Sequence, residues 1–296
     1  MRTTTLRSHG NAMLAIGVVS VLAAASTCQQ PRAPSANVAT PEQVATSTPA
    51  YFSASDDGRR LVILYTASVQ GYVEPCGCTA EPLGGIARLT TVVNDAKRAF
   101  GDRVFVLDAG DLLFEKQAGL QAADRCQDEA RIDLLLSTLH DLGLVATTVG
   151  PRDDARGAAF REQKFRAHGI EALGVATDSG ALVRDHLVVQ RGNVRVGLAS
   201  LVLYDAAQTM KARARLEATV AELKKQKIDV VVVLAQSPRP LATQALHNLH
   251  DVDVAILGSD PGEVPVAPQK MGESGPWLLA SGMQAQHLGV LEIALA

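Results

Sequence analysis

The chain has 296 residues, a formal net charge of −3, 47% hydrophobic residues and 4% aromatic residues. That length holds one large domain or two small ones, with enough apolar material for a real core. The charge excludes a nucleic-acid footprint, which needs a basic face, and so few aromatics leave little on which bases or sugars could stack.

The first residues read as a targeting segment. Arg2 and Arg7 form a positive start, and residues 12–25 are apolar. The run is short for a bilayer span and matches a secretory signal. It ends Ala25-Ser26-Thr27-Cys28, which resembles the lipobox of bacterial lipoproteins, whose Cys is lipidated as the first residue of the mature chain. Ala25 and Ser26 fit; Thr27 stands where Gly or Ala is usual. Residues 1–28 are therefore expected to be a signal peptide with Cys28 lipidated, the alternative being ordinary cleavage that leaves Cys28 without a role. Acyl chains contribute about 0.8 kcal/mol per buried methylene, so several chains anchor stably. The expectation is an exported, membrane-anchored protein facing the periplasm or cell surface. Residues 29–57 are rich in Pro, Ala, Ser and Thr without periodicity and read as a disordered tether. The folded domain is expected over 58–296.

From Leu61 strands and helices alternate. Apolar runs place strands at 61–66, 103–108, 144–149, 171–175, 183–190, 194–202, 229–235, 253–257, 277–281 and 287–294. Helical patterns fit 85–100, 124–142, 153–168, 205–227 and 239–250. Gly192-Asn193 suits an I′-type hairpin turn between two of the strands. The basic residues of 205–227, from Lys211 to Lys227, read as a solvated face. His247 and His250 read as helix-surface residues, and His140 lies at a helix end, where a cation is favourable. Residues 261–275 form a Pro/Gly-rich loop. The alternation implies a layered α/β domain. Two loops leave the carboxyl ends of strands, where chemistry collects in α/β sheets. One carries Cys76-Gly77-Cys78 and Gly84-Gly85; the other is Asp108-Ala109-Gly110-Asp111.

Ile63-Leu64-Tyr65-Thr66, Gly71, Leu83-Gly84-Gly85-Ile86-Ala87-Arg88-Leu89 and Leu107-Asp108-Ala109-Gly110-Asp111 occur in that order, followed by Thr148-Val149-Gly150, Val231-Val232-Val233-Leu234, Val252-Asp253-Val254 with Gly258, and Ser281-Gly282 to Gly289. This series resembles the metallophosphatase domain of UshA-like 5'-nucleotidases, within the calcineurin-like phosphoesterases. The resemblance implies a metallophosphatase-like β-sandwich flanked by helices, four layers in the order α/β/β/α. That family binds two divalent ions through Asp, His and Asn, and such a pair of ions clamps the attacking and leaving oxygens. Carried over one at a time, its Asp-x-His falls on Ser68 and Gln70. Its Gly-Asp carboxylate falls on Asp111. Its Asn-His falls on Pro151 and Arg152, with Asp153 in the following Glu place. The His after the Val-rich strand falls on Gln236, and its Gly-His-x-His on Gly258, Ser259 and Pro261. Asp111 alone keeps a ligand's chemistry. No cofactor is therefore expected, the alternative being a divalent ion such as Mn or Zn held by atypical ligands.

Glu74-Pro75-Cys76-Gly77-Cys78 resembles a loop in one branch of the UshA-like proteins, some with selenocysteine there, and that likeness implies redox use. Exported proteins meet oxidising conditions, so Cys76, Cys78 and Cys126 are disulfide candidates. Cys126 opens a helix, whose N-terminal dipole lowers a thiol pKa; it is a candidate resolving thiol. Arg152 would favour a thiolate if it points into the old metal cleft. Three readings stay open: a staple from Cys76 or Cys78 to Cys126, an exchangeable Cys76–Cys78 pair, and a soft-metal site. Three functions follow: a degenerate phosphoesterase-fold protein doing thiol chemistry or binding a protein or thiol partner, a metal-dependent nucleotide hydrolase with unusual ligands, and a binding protein whose cysteines only brace a loop.

Overall fold

Long apolar runs dominate the strands. Strand β1, Arg60–Thr66, buries six of its seven residues, β2, Val104–Asp108, buries all five, and β8, Val230–Gln236, buries all seven. Such runs belong to parallel strands covered on both faces. The computed structural model describes Phe52 and residues 60–75, 82–116, 124–174, 183–258 and 267–294. All described residues belong to one unit, Thr46–Ala296. The signal segment with Cys28, all of the tether but Phe52, Cys76, Cys78, Ser259 and Pro261 lie outside the described residues.

The remaining strands are β3 (Leu144–Thr148), β4 (Ala172–Leu173), β5 (Val183–Arg184), β6 (His186–Arg191), β7 (Val194–Val202), β9 (Val254–Gly258), β10 (Gln269–Lys270), β11 (Trp277–Ala280) and β12 (Gly289–Ala294). They make two six-stranded sheets, ordered β12-β1-β2-β3-β4-β5 and β10-β11-β9-β8-β7-β6. Pairing is parallel except at β1–β12, β6–β7 and β10–β11. The helices are α1 (Ile86–Phe100), α2 (Arg125–Asp141), α3 (Ala158–Ala167), α4 (Thr209–Lys224) and α5 (Arg239–Leu246).

Side-chain alternation along each strand divides the core into three slabs. Leu61, Ile63, Phe105 and Leu107 meet Val196, Leu198, Val232, Leu234 and Ile256 between the sheets. Val62, Leu64, Val104 and Val106 face Leu89, Val93, Ile132, Leu136 and Phe165 of α1, α2 and α3. Val231 and Val233 face Leu216, Val220, Ala242 and Leu246 of α4 and α5. Helix α1 shows why its side packs: buried Leu89, Val93, Ala96 and Phe100 recur at three- and four-residue spacing. The result is the four-layer α/β/β/α sandwich.

Several boundaries differ from the sequence expectation, each for a local reason. The strand expected over 183–190 is two strands in different sheets, because the chain crosses between them at Asp185. The Gly192-Asn193 turn has a positive φ only at Gly192. That is the pattern of a II′ turn rather than I′. The helix expected from 153 begins at Ala158, after Gly157 takes a left-handed φ of 87°. The one expected over 239–250 stops at Leu246, because Asn248 adopts φ 51° and gives its N–H to Met271 O. His247 and His250 are thus exposed turn residues rather than helical ones. Helix α4 is preceded by a 3-10 turn, Ala206–Gln208, capped by Asp205. Lys211, Arg215, Lys224, Lys225 and Lys227 are exposed, whereas Arg213 donates to Ala245 O and His247 O at the end of α5. The loop expected over 261–275 contains β10.

Candidate functional site

The carboxyl ends of β1, β2, β3 and β8 meet in one cleft. Two loops are laced there by their backbones: Ser68 N donates to Gly110 O at 2.8 Å, Gln70 N to Asp111 O at 2.9 Å and Gly71 N to Leu112 O at 2.8 Å. Three non-glycine residues here, Ser68, Gln70 and Asp111, hold positive φ angles of 47°, 58° and 52°. Such strain persists only where surrounding structure fixes it, and it concentrates at functional sites.

Three fully buried carboxylates occupy the cleft floor. Asp108, at the end of β2, accepts from Thr66 Oγ1 at 2.8 Å, Thr147 Oγ1 at 2.7 Å and Gly110 N at 2.8 Å. Burial pushes its pKa up to about 6, Asp111 adds to the rise, and the three hydrogen bonds pull it back. Asp153 accepts four backbone N–H groups: Leu112 at 2.7 Å, Leu113 at 2.9 Å, Gly150 at 2.8 Å and Asp111 at 3.1 Å. Burial, then the charge of Asp111, push it up to about 8, against the pull of its N–H donors.

Asp111 is met by a cation from the chain itself. Arg152 places Nη1 2.5 Å from Asp111 Oδ2 and its backbone N 2.8 Å from Oδ1. Its Nε donates to Glu115 O at 2.9 Å, which fixes the guanidinium over the cleft. Gln236, at the end of β8, is fully buried, and neither of its amide atoms has a hydrogen-bond partner among the described residues. It is wedged among glycines: a Cβ on Gly150 would strike Asp111 Oδ1 and come within 2.7 Å of Gln236 Nε2, and one on Gly258 would lie 2.9 Å from Gln236 Oε1. Gln70 is nearly buried, and its Nε2 meets Met283 Sδ at 3.9 Å.

Ser68, Gln70, Asp111, Arg152 and Gln236 thus converge, with Pro151 in the chain between Gly150 and Arg152. This donor set does not suit two divalent ions. Asp111's oxygens already hold Arg152 N–H groups, Asp153's oxygens are filled by backbone N–H groups, and Gln236 is a weak neutral ligand. Among the described residues no group of three or more His, Cys, Asp or Glu side chains is placed to hold a metal ion. Cys126 lies exposed in the first turn of α2 and is disulfide-bonded. That turn faces the β1 loop across a cavity of about 270 Å³ lined by residues including Gln70, Tyr72, Glu115 and Asp128.

The architecture matches known structures. A 5'-nucleotidase precursor from Thermus thermophilus superposes with TM-score 0.64 at 18% identity, over 80% of this chain and 52% of that one. The NAD nucleotidase of Haemophilus influenzae gives TM-score 0.61 at 15% identity, over 79% and 47%. The calcineurin-like phosphoesterase YfkN of Bacillus subtilis gives 0.62 at 16% identity, over 79% and 84%. The chain has the metallophosphoesterase fold of the 5'-nucleotidases. At these identities the likeness is one of fold, and the chain spans about half the length of the first two proteins. No family model matches the sequence, and no curated protein does.

Within this metallophosphoesterase fold, Asp108 and the depth of Asp153 were the parts sequence reasoning passed over. The signal was present: Thr66 and Thr147 are polar residues at the ends of apolar strands, where a buried carboxylate would need donors. Raised carboxylate values give a definite pH dependence. An Asp near 3.9 unfolded and about 6 folded binds its proton more tightly when folded. Its stabilisation is complete below pH ~4 and is lost as pH rises through 6. Asp153 has the same sign. The melting temperature should therefore fall between pH 4 and 6, and Asp108→Asn should flatten that slope, removing on the order of 2–3 kcal/mol of pH-dependent stability. A slope unchanged in the variant would remove Asp108 as its source.

Proposed function

We propose that this protein is a metallophosphoesterase-fold protein that no longer hydrolyses phosphoesters, exported and held at a membrane through a lipid on Cys28, in which thiol chemistry at Cys76, Cys78 and Cys126 replaces metal chemistry. The observation that carries the first half is the Arg152 guanidinium on Asp111, a fixed cation on the one retained ligand position. Ser68, Gln70, Pro151, Gln236, Ser259 and Pro261 stand at the other ligand positions of the resemblance, and none is a strong ligand for a hard divalent ion.

The thiol half rests on Cys126, an exposed cysteine in a disulfide. Exposed disulfides exchange readily. The loop bearing Cys76 and Cys78 leaves the same β1 segment that α2 faces, so one of these two is our choice as the Cys126 partner. A partner thiolate would attack one sulfur of the bridge and form a mixed disulfide. The other sulfur would leave as thiolate. A second partner thiol would release the partner as its disulfide, leaving two thiols on this protein.

The test is metal analysis, phosphatase assay and thiol counting on the purified protein. The expected result is substoichiometric divalent metal, no phosphate release from nucleotides with added manganese, and two thiols freed together by mild dithiol without unfolding. Robust manganese-dependent hydrolysis abolished by Asp111→Asn would overturn the first half. Thiols released only on unfolding would overturn the second and leave a binding protein with a braced loop.

A further inference from the structure

Arg161 is an anomaly that the cleft does not use. It sits in α3 with its side chain 3% exposed, yet among the described residues its charge is met by one contact, Nε to Asp154 Oδ1 at 2.8 Å. A guanidinium carries five N–H donors in a fixed fork. The Nη1 and Nη2 donors have no hydrogen-bond acceptor among the described residues. That edge of the guanidinium opens onto a cavity, where a group of opposite charge could meet it.

The space it faces is a cavity of about 190 Å³ at the carboxyl ends of β3 and β7. Its other walls are mainly apolar, from Val149, Pro151, Val183, Val202 and Tyr204, with Asp154 at one side. Gly150 and Pro151 belong to the loop that carries Arg152, and the N–H of Gly150 is held by Asp153 at 2.8 Å. The wall shared with the Asp111 cleft is therefore rigid. Arg161 lies in a polar run, Arg161-Glu162-Gln163-Lys164, inside the helix expected over 153–168, and no motif marks it.

We infer that Arg161 forms the floor of a binding site, separate from the Asp111 cleft, for a small oxyanion borne on an apolar group. The open edge of the guanidinium matches the two oxygens of a carboxylate or a phosphate monoester, which arginine binds bidentately. Apolar walls around a few convergent polar groups are the usual make-up of a small-molecule site. The cavity is below the usual range of about 300–1,000 Å³ for drug-sized ligands, so the occupant is about the size of one aromatic ring or a short branched chain. Asp154 stays on Nε and sets the fork's orientation; it is a positioning residue. The inference does not depend on the thiol reading.

Calorimetric titration of the purified chain with benzoate, phenyl phosphate, benzyl alcohol and inorganic phosphate tests it. Saturable binding of benzoate or phenyl phosphate is expected, with whichever binds naming the anion class. Benzyl alcohol and inorganic phosphate should each bind at least about tenfold more weakly, since the first lacks the charge and the second the apolar body. Arg161→Gln should weaken the preferred probe by about tenfold or more. Because Arg161 is buried and that variant could unfold, Val202→Trp provides a second arm: it fills the cavity while leaving Arg161 in place, and should abolish binding with the circular dichroism unchanged. Neither ring-bearing anion binding saturably, benzyl alcohol binding as well as benzoate, inorganic phosphate as well as phenyl phosphate, or folded Val202→Trp binding as the native chain does, would overturn the proposal.

Discussion

Asp153→Asn is expected to destabilise the domain by about 3–5 kcal/mol at about pH 9, where a carboxyl pushed up to about 8 has lost its proton, since each buried donor left unmet costs about 1–3 kcal/mol. Oδ1 of Asp153 accepts from Leu112 N and Leu113 N, and Oδ2 from Gly150 N and Asp111 N. An amide replaces one of these oxygens with an NH2 group. Whichever way it turns, that group confronts two N–H donors. The backbone after β2 and the backbone after β3 would both lose their anchor, although the change is nearly isosteric. Urea unfolding measures it: the midpoint should drop sharply with the slope retained. Glu222→Gln, which loses an exposed pair with Lys225, serves as the control and should shift stability by less than about 1 kcal/mol. A drop for Asp153→Asn at that pH as small as the control's would mean that the loops are held by other means.

The second large effect is expected at Arg152. Arg152→Ala leaves Asp111 fully buried without its cation and should cost about 2–4 kcal/mol, less than a wholly buried pair because the guanidinium is partly open to water. Adding Asp111→Asn should recover much of that loss, since Asn tolerates the left-handed backbone at this position. A double-mutant cycle should therefore give a coupling of about 1–3 kcal/mol. Additive single losses would show that Arg152 acts through its bond to Glu115 O instead, and the charge-replacement account of the cleft would fail.

The fold was legible because its strands are unbroken apolar runs and its parallel layers force crossover helices between them. Residues 230–236 and 104–108 admit few readings other than buried strands. The crossing at Asp185 left only a weak mark: Arg184-Asp185-His186 interrupts the apolar residues on either side, but a strand with one exposed face tolerates such a break, and the division is decided by the positions of two distant sheets. The late start of α3 was hidden for a related reason. Asp153 looks like a good first-turn residue, but its carboxylate is committed to N–H groups about 40 positions away in the chain.

For the cleft, motif order placed Ser68, Gln70, Asp111, Arg152 and Gln236 at neighbouring strand ends, and the geometry brings them together. What spacing could not convey is which donor each side chain meets. The pairing of Arg152 with Asp111, the crowding of Gln236 against Gly150 and the open fork of Arg161 are contacts between elements. They depend on how β3 and β8 sit beside β2, not on any local pattern.

The pairing of β1 with β12 has a consequence for how the chain matures. These two strands come from opposite ends of the domain, and Arg60 lies opposite Ala294 in an antiparallel ladder. A nascent polypeptide cannot complete its first sheet until β12 has been made. Contacts of such long sequence separation slow folding, so β1 stands with one edge unpaired until β12 arrives.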